Sequence, residues 1–151
     1  MENVGDILAA KGNEIISIDP DTTLYAALQK MVERNIGSLL VIDSAGKLLG
    51  LFTERGFINK IILKGIDCDH SVVRDAMTTR VLYVEPKTSI TDCMNLMTEK
   101  HQRHLAVMDK ERPVGVISIG DVVKAVLEVD QGIISRQAFE IGQLERYTSG
   151  I

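Results

Sequence analysis

Two stretches of this 151-residue chain are copies of one another. An offset of 66 residues places Pro20 on Pro86 and aligns residues 15–43 with residues 81–109 without a gap. The chain therefore contains one structural repeat twice, because a shared order of apolar, turn and polar positions specifies a shared structure. The matched pairs include Thr22 and Thr88, Met31 and Met97, Glu33 and Glu99, Leu39 and Leu105, Val41 and Val107, and Asp43 and Asp109.

The residue pattern of each copy predicts a β-α-β-β-α unit. The segments ISIDP and LYVEP alternate and end in proline, which predicts short strands. Thr22 and Thr88 are the expected N-caps of the helices that follow, whose apolar residues recur at helical spacing. Two β-rich runs joined by a polar turn come next, LLVID-SAGK-LLGLFT and LAVMD-KERP-VGVIS. Closing helices are expected around residues 57–64 and 122–129.

The repeat also sets the domain organisation. Residues 4–7 correspond to residues 73–76, with three extra residues in the first copy before the strand. We assign the first repeat to residues 1–69, the second to residues 70–130, and an amphipathic helix and tail to residues 131–151. One copy of about 60 residues buries too little apolar surface alone. We therefore expect a mixed α/β (α+β) module in which the two repeats pack about a pseudo-two-fold axis.

Composition excludes several classes of protein. The net charge is −4 and the basic residues are scattered, so we expect no nucleic-acid partner. No apolar run approaches the ~20 residues that cross a bilayer, and the first residues lack the pattern of a signal peptide. We therefore expect a cytoplasmic protein that does not enter a membrane. Cys68 and Cys93 have no C-x-x-C spacing, so we expect neither a disulfide nor a metal site.

Three segments carry a family likeness. GLFTERG and GVISIGD end the third strand of each copy, and RHLAV accompanies the second strand of the later copy. Together with the doubled unit, they resemble a tandem pair of CBS domains, also called a Bateman module, over about residues 4–128. The resemblance implies a regulatory module that binds an adenosine-containing ligand between the repeats. AMP, ADP, ATP or NAD is the expected ligand, with S-adenosylmethionine known for some members, and no cofactor is required.

The resemblance also assigns residues to the ribose. In the family, the motif that matches GVISIGD holds ribose and phosphate, and its roles fall on Ser118 and Asp121. An ionised carboxylate suits a sugar diol because it only accepts hydrogen bonds. In the first copy Thr53 keeps the hydroxyl but Gly56 replaces the carboxylate, a loss on the order of 1.5–3 kcal/mol. We therefore expect one competent site, beside Asp121, where helix capping is the alternative or additional role.

The remaining site residues follow from the same likeness. Arg55, Arg103 and His104 are the candidates for the phosphates, and the planar fork of arginine matches a phosphate better than lysine does. A surface ion pair or a solvated helix end is the alternative for each. The family places adenine against the first strand of the copy and the chain at its second strand. For the competent site these residues are Val81, Leu82, Tyr83, His104, Leu105 and Ala106.

Three functions stay open at this point. The first is a nucleotide sensor that acts on an unidentified partner protein by shifting between packings of the repeats or of two chains in a homodimer. The second is an interaction or dimerisation module whose ligand sites have decayed. The third is a nucleotide-processing enzyme that uses Ser118, Asp121 and His104. The absence of a glycine-framed nucleophile elbow and of a metal motif argues against the enzyme.

Overall fold

The computed structural model describes residues 1–12 and 14–128. The first half contains α1 (Val4–Lys11), β1 (Ser17–Ile18), α2 (Leu24–Arg34), β2 (Ser38–Ile42), β3 (Leu48–Thr53) and α3 (Glu54–Lys64). The second half contains α4 (Val73–Ala76), β4 (Tyr83–Val84), α5 (Ile90–Lys100), β5 (His104–Asp109), β6 (Arg112–Ser118) and α6 (Ile119–Leu127). The predicted mixed α/β fold of two β-α-β-β-α units is confirmed. The helix predicted within residues 131–151 lies outside the described residues.

Each unit forms its own three-stranded sheet. In both sheets the first strand pairs in parallel with the second, and the second pairs antiparallel with the third. The parallel pair requires a crossover, which α2 and α5 supply. The register shifts after Val41 in one sheet and after Val107 in the other, at positions that the repeat makes equivalent. The two repeats therefore share even this local irregularity of the sheet.

The start and end of the crossover helices show the same correspondence. Thr23 and Ser89 are the N-caps, and their hydroxyls accept the N–H three residues further on at 3.2 and 3.1 Å. The prediction of Thr22 and Thr88 as caps was wrong by one residue. These two threonines close the preceding turns, donating their N–H to the carbonyl three residues earlier at 3.1 and 3.0 Å. At the other end, both helices stop on a left-handed residue, Asn35 or His101.

Each short N-terminal helix packs on the opposite repeat. Val4 and Ile7 of α1 are buried in the core of the second repeat, and Val73 and Ala76 of α4 are buried in the core of the first. Backbone hydrogen bonds hold both helices in place. The Val4 N–H donates to the carbonyl of Thr88 at 3.0 Å, and the Val73 N–H donates to the carbonyl of Thr22 at 2.8 Å. Neither core is complete without a helix from the other half. The two repeats therefore form one folding unit.

A third apolar cluster joins the two sheets. Leu40 and Leu51 pair across β2 and β3, while Ala106 and Val116 pair across β5 and β6, and all four pack together. The repeat relates Leu40 to Ala106 and Leu51 to Val116. The sheets therefore meet about the predicted pseudo-two-fold axis. Among the described helices, none is long and apolar enough to span a bilayer.

Candidate functional site

The motif GVISIGD carries the end of β6 into the start of α6. Ser118 is the N-cap of α6, and its Oγ accepts the N–H of Asp121 at 3.1 Å. In return, Oδ2 of Asp121 accepts the N–H of Ser118 at 2.8 Å. This capping box satisfies two of the N–H groups that a helix start leaves without partners. The capping role is therefore real, and it fixes the orientation of the carboxylate.

A lysine from the first repeat reaches the same carboxylate. The Nζ of Lys11 donates to Oδ2 of Asp121 at 2.7 Å and to the carbonyl oxygen of Val116 at 3.0 Å. Burial opposes ionisation of Asp121, but the ammonium of Lys11 and the N–H of Ser118 outweigh it. The pKa of the Asp121 carboxyl therefore lies below its ordinary value of 3.8. The carboxylate is ionised at neutral pH while its side chain keeps 23% of its surface exposed.

Asp121 faces a cleft of about 700 Å³ between the repeats. This volume is in the range of small-molecule sites. From the first repeat, α1 with the chain after it and the start of β2 contribute Gly5, Leu8, Lys11, Gly12, Glu14, Ile15, Ile16, Asn35, Ile36, Gly37, Ser38 and Leu40. From the second repeat come Pro86, His104, Asp109, Val114, Gly115, Val116, Ser118 and Asp121. Apolar walls thus surround a few polar groups, the arrangement typical of ligand pockets.

His104 forms part of the cleft wall next to the motif. It is the first residue of β5 and pairs in register with Ser118 at the end of β6. Its ring faces Gly37, where an added β-carbon would lie 3.7 Å from Nε2. Burial lowers the pKa of His104, although the charge of Asp121 acts in the opposite direction. The imidazole is therefore neutral at physiological pH, with one nitrogen that donates and one that accepts.

Five of the six residues predicted to contact adenine lie outside the lining of the Asp121 cleft. Leu105 and Ala106 are fully buried, and Leu82 packs against the core of the second repeat. Val81 packs on the cluster between the sheets, and Tyr83 is 62% exposed. None of these five residues is among the described residues that line the Asp121 cleft.

The pseudo-two-fold axis explains why the residues before the first strand of the second repeat do not line this cleft. The motif of one repeat faces the first strand of the other repeat, so the cleft wall beside Asp121 comes from Ile15 and Ile16. These residues occupy the positions that Val81 and Leu82 occupy in the second repeat. Beside Asp121 the cleft is therefore lined by the first repeat's equivalents of the residues that the sequence analysis predicts for adenine.

The predicted phosphate arginines are not among the described residues that line the cleft. Arg55 and Arg103 are exposed and do not line the Asp121 cleft among the described residues. Thr53 is the N-cap of α3, and its Oγ1 accepts the N–H of Gly56 at 2.9 Å. Of the predicted ligand residues, the structure brings Ser118, Asp121 and His104 together. Lys11 was missed, because a lysine at a helix end carries no local signal of a contact 110 residues away.

The equivalent position in the first repeat is closed by backbone. Leu51 of β3 and Thr78, which follows α4, exchange two hydrogen bonds of 2.9 Å. A β-carbon on Gly50 would lie 2.6 Å from the carbonyl oxygen of Thr78. In the second repeat, the glycine at the same position is Gly115, and a side chain, that of Leu8, approaches it. The chain after α4 thus fills the space that stays open beside Asp121.

Known proteins share both the sequence pattern and the fold. The family model of the CBS domain matches residues 4–63 and 73–128. The CBS domain-containing protein CBSX3, mitochondrial, of Arabidopsis thaliana is 33% identical over 132 residues. The match covers 82% of this chain and 64% of that protein, so this chain spans less than two thirds of that relative.

Solved structures agree with the family match. A putative signal-transduction protein with CBS domains from Burkholderia ambifaria superposes with a TM-score of 0.77 at 40% identity, covering 82% of this chain and 93% of that one. The structure of CBSX2 in complex with AMP superposes with a TM-score of 0.70 at 25% identity, covering 86% of this chain and 99% of that one. With both repeats matched and the paired fold shared, the chain belongs to the CBS domain family and forms a tandem CBS pair.

Proposed function

We propose that this chain is a non-catalytic regulatory module that binds one adenosine-containing ligand beside Asp121 and signals its presence to a partner protein. AMP, ADP, ATP and NAD are the candidate ligands. The observation that carries the proposal is an ionised carboxylate, fixed by a capping box, at the mouth of a cleft shared by both repeats. The AMP-bound structure of the related CBSX2 supports an adenine nucleotide.

The carboxylate has an acceptor available for a sugar. Oδ2 of Asp121 receives the N–H of Ser118 and the ammonium of Lys11. Within the described part of the chain, no hydrogen bond is recorded to Oδ1. A ribose hydroxyl can therefore donate to Oδ1 without displacing the contacts that hold the side chain. A hydrogen bond to a charged acceptor is stronger than one between neutral groups.

The rest of the cleft suits a purine. Leu8, Ile15, Ile36 and Val116 supply apolar surface from both repeats. Neutral His104 adds a donor and an acceptor beside them. A planar base buries well between aliphatic side chains, while a few polar groups fix its orientation. This combination supports adenosine recognition by shape with polar contacts at its edge.

Binding in this cleft is suited to regulation. The ligand contacts α1 of the first repeat and the motif of the second, so it favours the packing that brings both walls together. A ligand shifts an equilibrium by its different affinity for the two states, and a partner protein that recognises one state responds.

The geometry supports binding better than catalysis. The Oγ of Ser118 accepts the N–H of Asp121 as a helix cap. Among the described residues, no hydrogen bond joins Ser118 Oγ to the ring of His104, as an activated nucleophile requires. The module therefore returns its ligand unchanged.

Association with a second copy is part of the proposal. Ile62 and Leu63 on α3 are 73% and 79% exposed, and Val123 and Leu127 on α6 are 46% and 40% exposed. Exposed apolar groups of this kind mark interaction surfaces when they lie together. A homodimer that covers α3 and α6 accounts for this exposure.

Calorimetry on matched variants tests the proposed function. Asp121→Asn keeps the shape of the side chain but removes its charge, and we expect the best ligand to bind roughly ten- to a hundredfold more weakly. Asp75→Asn is the control, since Asp75 accepts the N–H of Val72 in the capping box of α4, away from the cleft. The control should bind as the native protein does. Failure of the native protein to bind AMP, ADP, ATP and NAD, or conversion of these ligands, contradicts the proposal.

A further inference from the structure

The charges that line the Asp121 cleft are unevenly distributed. Among the described lining residues, Lys11 is the one cation, whereas Glu14, Asp109 and Asp121 are carboxylates. His104 is neutral at physiological pH because burial lowers its pKa. An ammonium near a ligand phosphate attracts it, and each carboxylate repels it. The described lining therefore offers one positive charge to balance the negative charges of a bound ligand.

The ammonium of Lys11 lies where a ligand would meet it. Its Nζ uses two contacts, to Asp121 at 2.7 Å and to the carbonyl of Val116 at 3.0 Å. An ammonium has three donors, so one hydrogen stays available for a ligand. This donor lies 2.7 Å from the carboxylate that we propose binds the ribose, so a ligand held there can bring its 5′ phosphate to it. Lys11 can therefore serve one phosphate.

Among the described residues that line this cleft, no second cation joins Lys11. Arg34 lies beside the lining residue Glu14, but its two terminal nitrogens pair with that carboxylate at 2.9 and 3.1 Å. Arg55 and Arg103 are exposed and are not lining residues. A second or third phosphate would therefore meet the carboxylate of Asp109, or that of Glu14 with its paired Arg34, and no lining cation other than Lys11.

We infer that the cleft selects a nucleoside or a nucleoside monophosphate over polyphosphates and dinucleotides, with Lys11 as the residue that recognises the single phosphate. The inference rests on the proposed function and narrows its ligand class. Adenosine and AMP are then the expected ligands, and ADP, ATP and NAD are expected to bind with lower affinity.

Titration calorimetry of adenosine, AMP and ATP without magnesium, at moderate ionic strength, tests the inference. We expect AMP to bind the native protein about tenfold or more tightly than ATP, since the additional phosphates of ATP meet the carboxylate of Asp109 and no lining cation other than Lys11. Lys11→Met keeps the length of the side chain and should weaken AMP about tenfold while changing adenosine less than about threefold. Lys11→Arg keeps the charge and should keep the preference for AMP. Lys64→Met is the matched control, because Lys64 also ends a helix immediately before a glycine.

The outcomes separate this inference from the proposed function. ATP binding as tightly as AMP to the native protein overturns the inference and leaves the adenosine site standing. An equal loss of adenosine and AMP in Lys11→Met also overturns it, because the lysine would then support the fold of the site and not the phosphate. Absence of binding by all three ligands contradicts the proposed function itself, and the inference falls with it.

Discussion

The two pseudo-equivalent positions of this module, beside Asp121 and beside Gly56, are built from the same elements but differ in open space and in polar side chains. Beside Asp121 the chain after α1 stays apart from β6 and leaves a space of about 700 Å³. Beside Gly56 the chain after α4 pairs with β3 through Leu51 and Thr78. Counted from the start of its short helix to its first strand, the first copy has three more residues, and they lie in the helix, since α1 has 8 residues where α4 has 4. The longer helix therefore goes with the open cleft and the shorter helix with the closed one.

The comparison also concerns chemistry. The closed side has lost the carboxylate, since Gly56 stands where Asp121 stands in the second repeat. The open side keeps the carboxylate and adds Lys11, which comes from the longer helix. Loss of the ligand group and closure of the space therefore coincide on one side. Duplication supplied two equivalent positions, and one has become structural.

The largest expected effect concerns the two equivalent glycines, Gly50 at the closed side and Gly115 at the open side. Gly50→Ala places a β-carbon 2.6 Å from the carbonyl oxygen of Thr78, and backbone cannot move aside easily. We expect a loss of about 1–3 kcal/mol in the free energy of unfolding, measured by urea denaturation. Gly115→Ala is the matched control, since its β-carbon meets a terminal methyl of Leu8 at 2.9 Å, which can rotate. Equal losses in the two variants would show that backbone does not close the first cleft.

A smaller effect distinguishes the two repeats by pH. His104 and its counterpart Ser38 both line the Asp121 cleft, and of the two only the histidine side chain is an acid–base group in this pH range. Burial lowers the pKa of His104, so below its ordinary value of 6.5 the unfolded chain binds the proton more readily than the folded one. The contribution of His104 to the free energy of unfolding should therefore decrease as the pH falls below 6.5 and be level above that pH. His104→Asn should flatten this part of the profile.

His101→Asn is the control for the pH profile. His101 is exposed and ends α5 in the left-handed conformation, which asparagine also adopts and which Asn35 adopts at the equivalent position. The control should keep the slope of the native protein. A slope that persists in His104→Asn and disappears in His101→Asn would contradict the assignment of the slope to His104.

The smallest expected effect is on the number of bound ligands. Gly56→Asp restores the carboxylate of the first repeat but leaves the pairing of Leu51 with Thr78 in place. We therefore expect calorimetry to give one ligand per chain, as for the native protein, with an affinity changed by less than about twofold. Two ligands per chain would show that the carboxylate alone decides whether a cleft is used. The unfolding transition of the variant confirms that it is folded.

The sequence allowed most of the fold to be predicted, because the repeat fixes the order of the elements. Ser118 and Asp121 were predictable as well, since the motif places both within four residues at a strand-to-helix junction. The residues of the opposing cleft wall could not be predicted. Their identity depends on which repeat faces the motif across the pseudo-two-fold axis, and no local pattern encodes that. The contact of Lys11 with Asp121 could not be predicted for the same reason.

A crystal structure of the full chain grown with saturating AMP tests the central claim most directly. We predict one nucleotide per chain between the repeats, with a ribose hydroxyl on Oδ1 of Asp121 and the hydrogen bonds between Leu51 and Thr78 unbroken. AMP bound beside Gly56 with those bonds opened, or a cleft beside Asp121 that holds no nucleotide, would contradict the account.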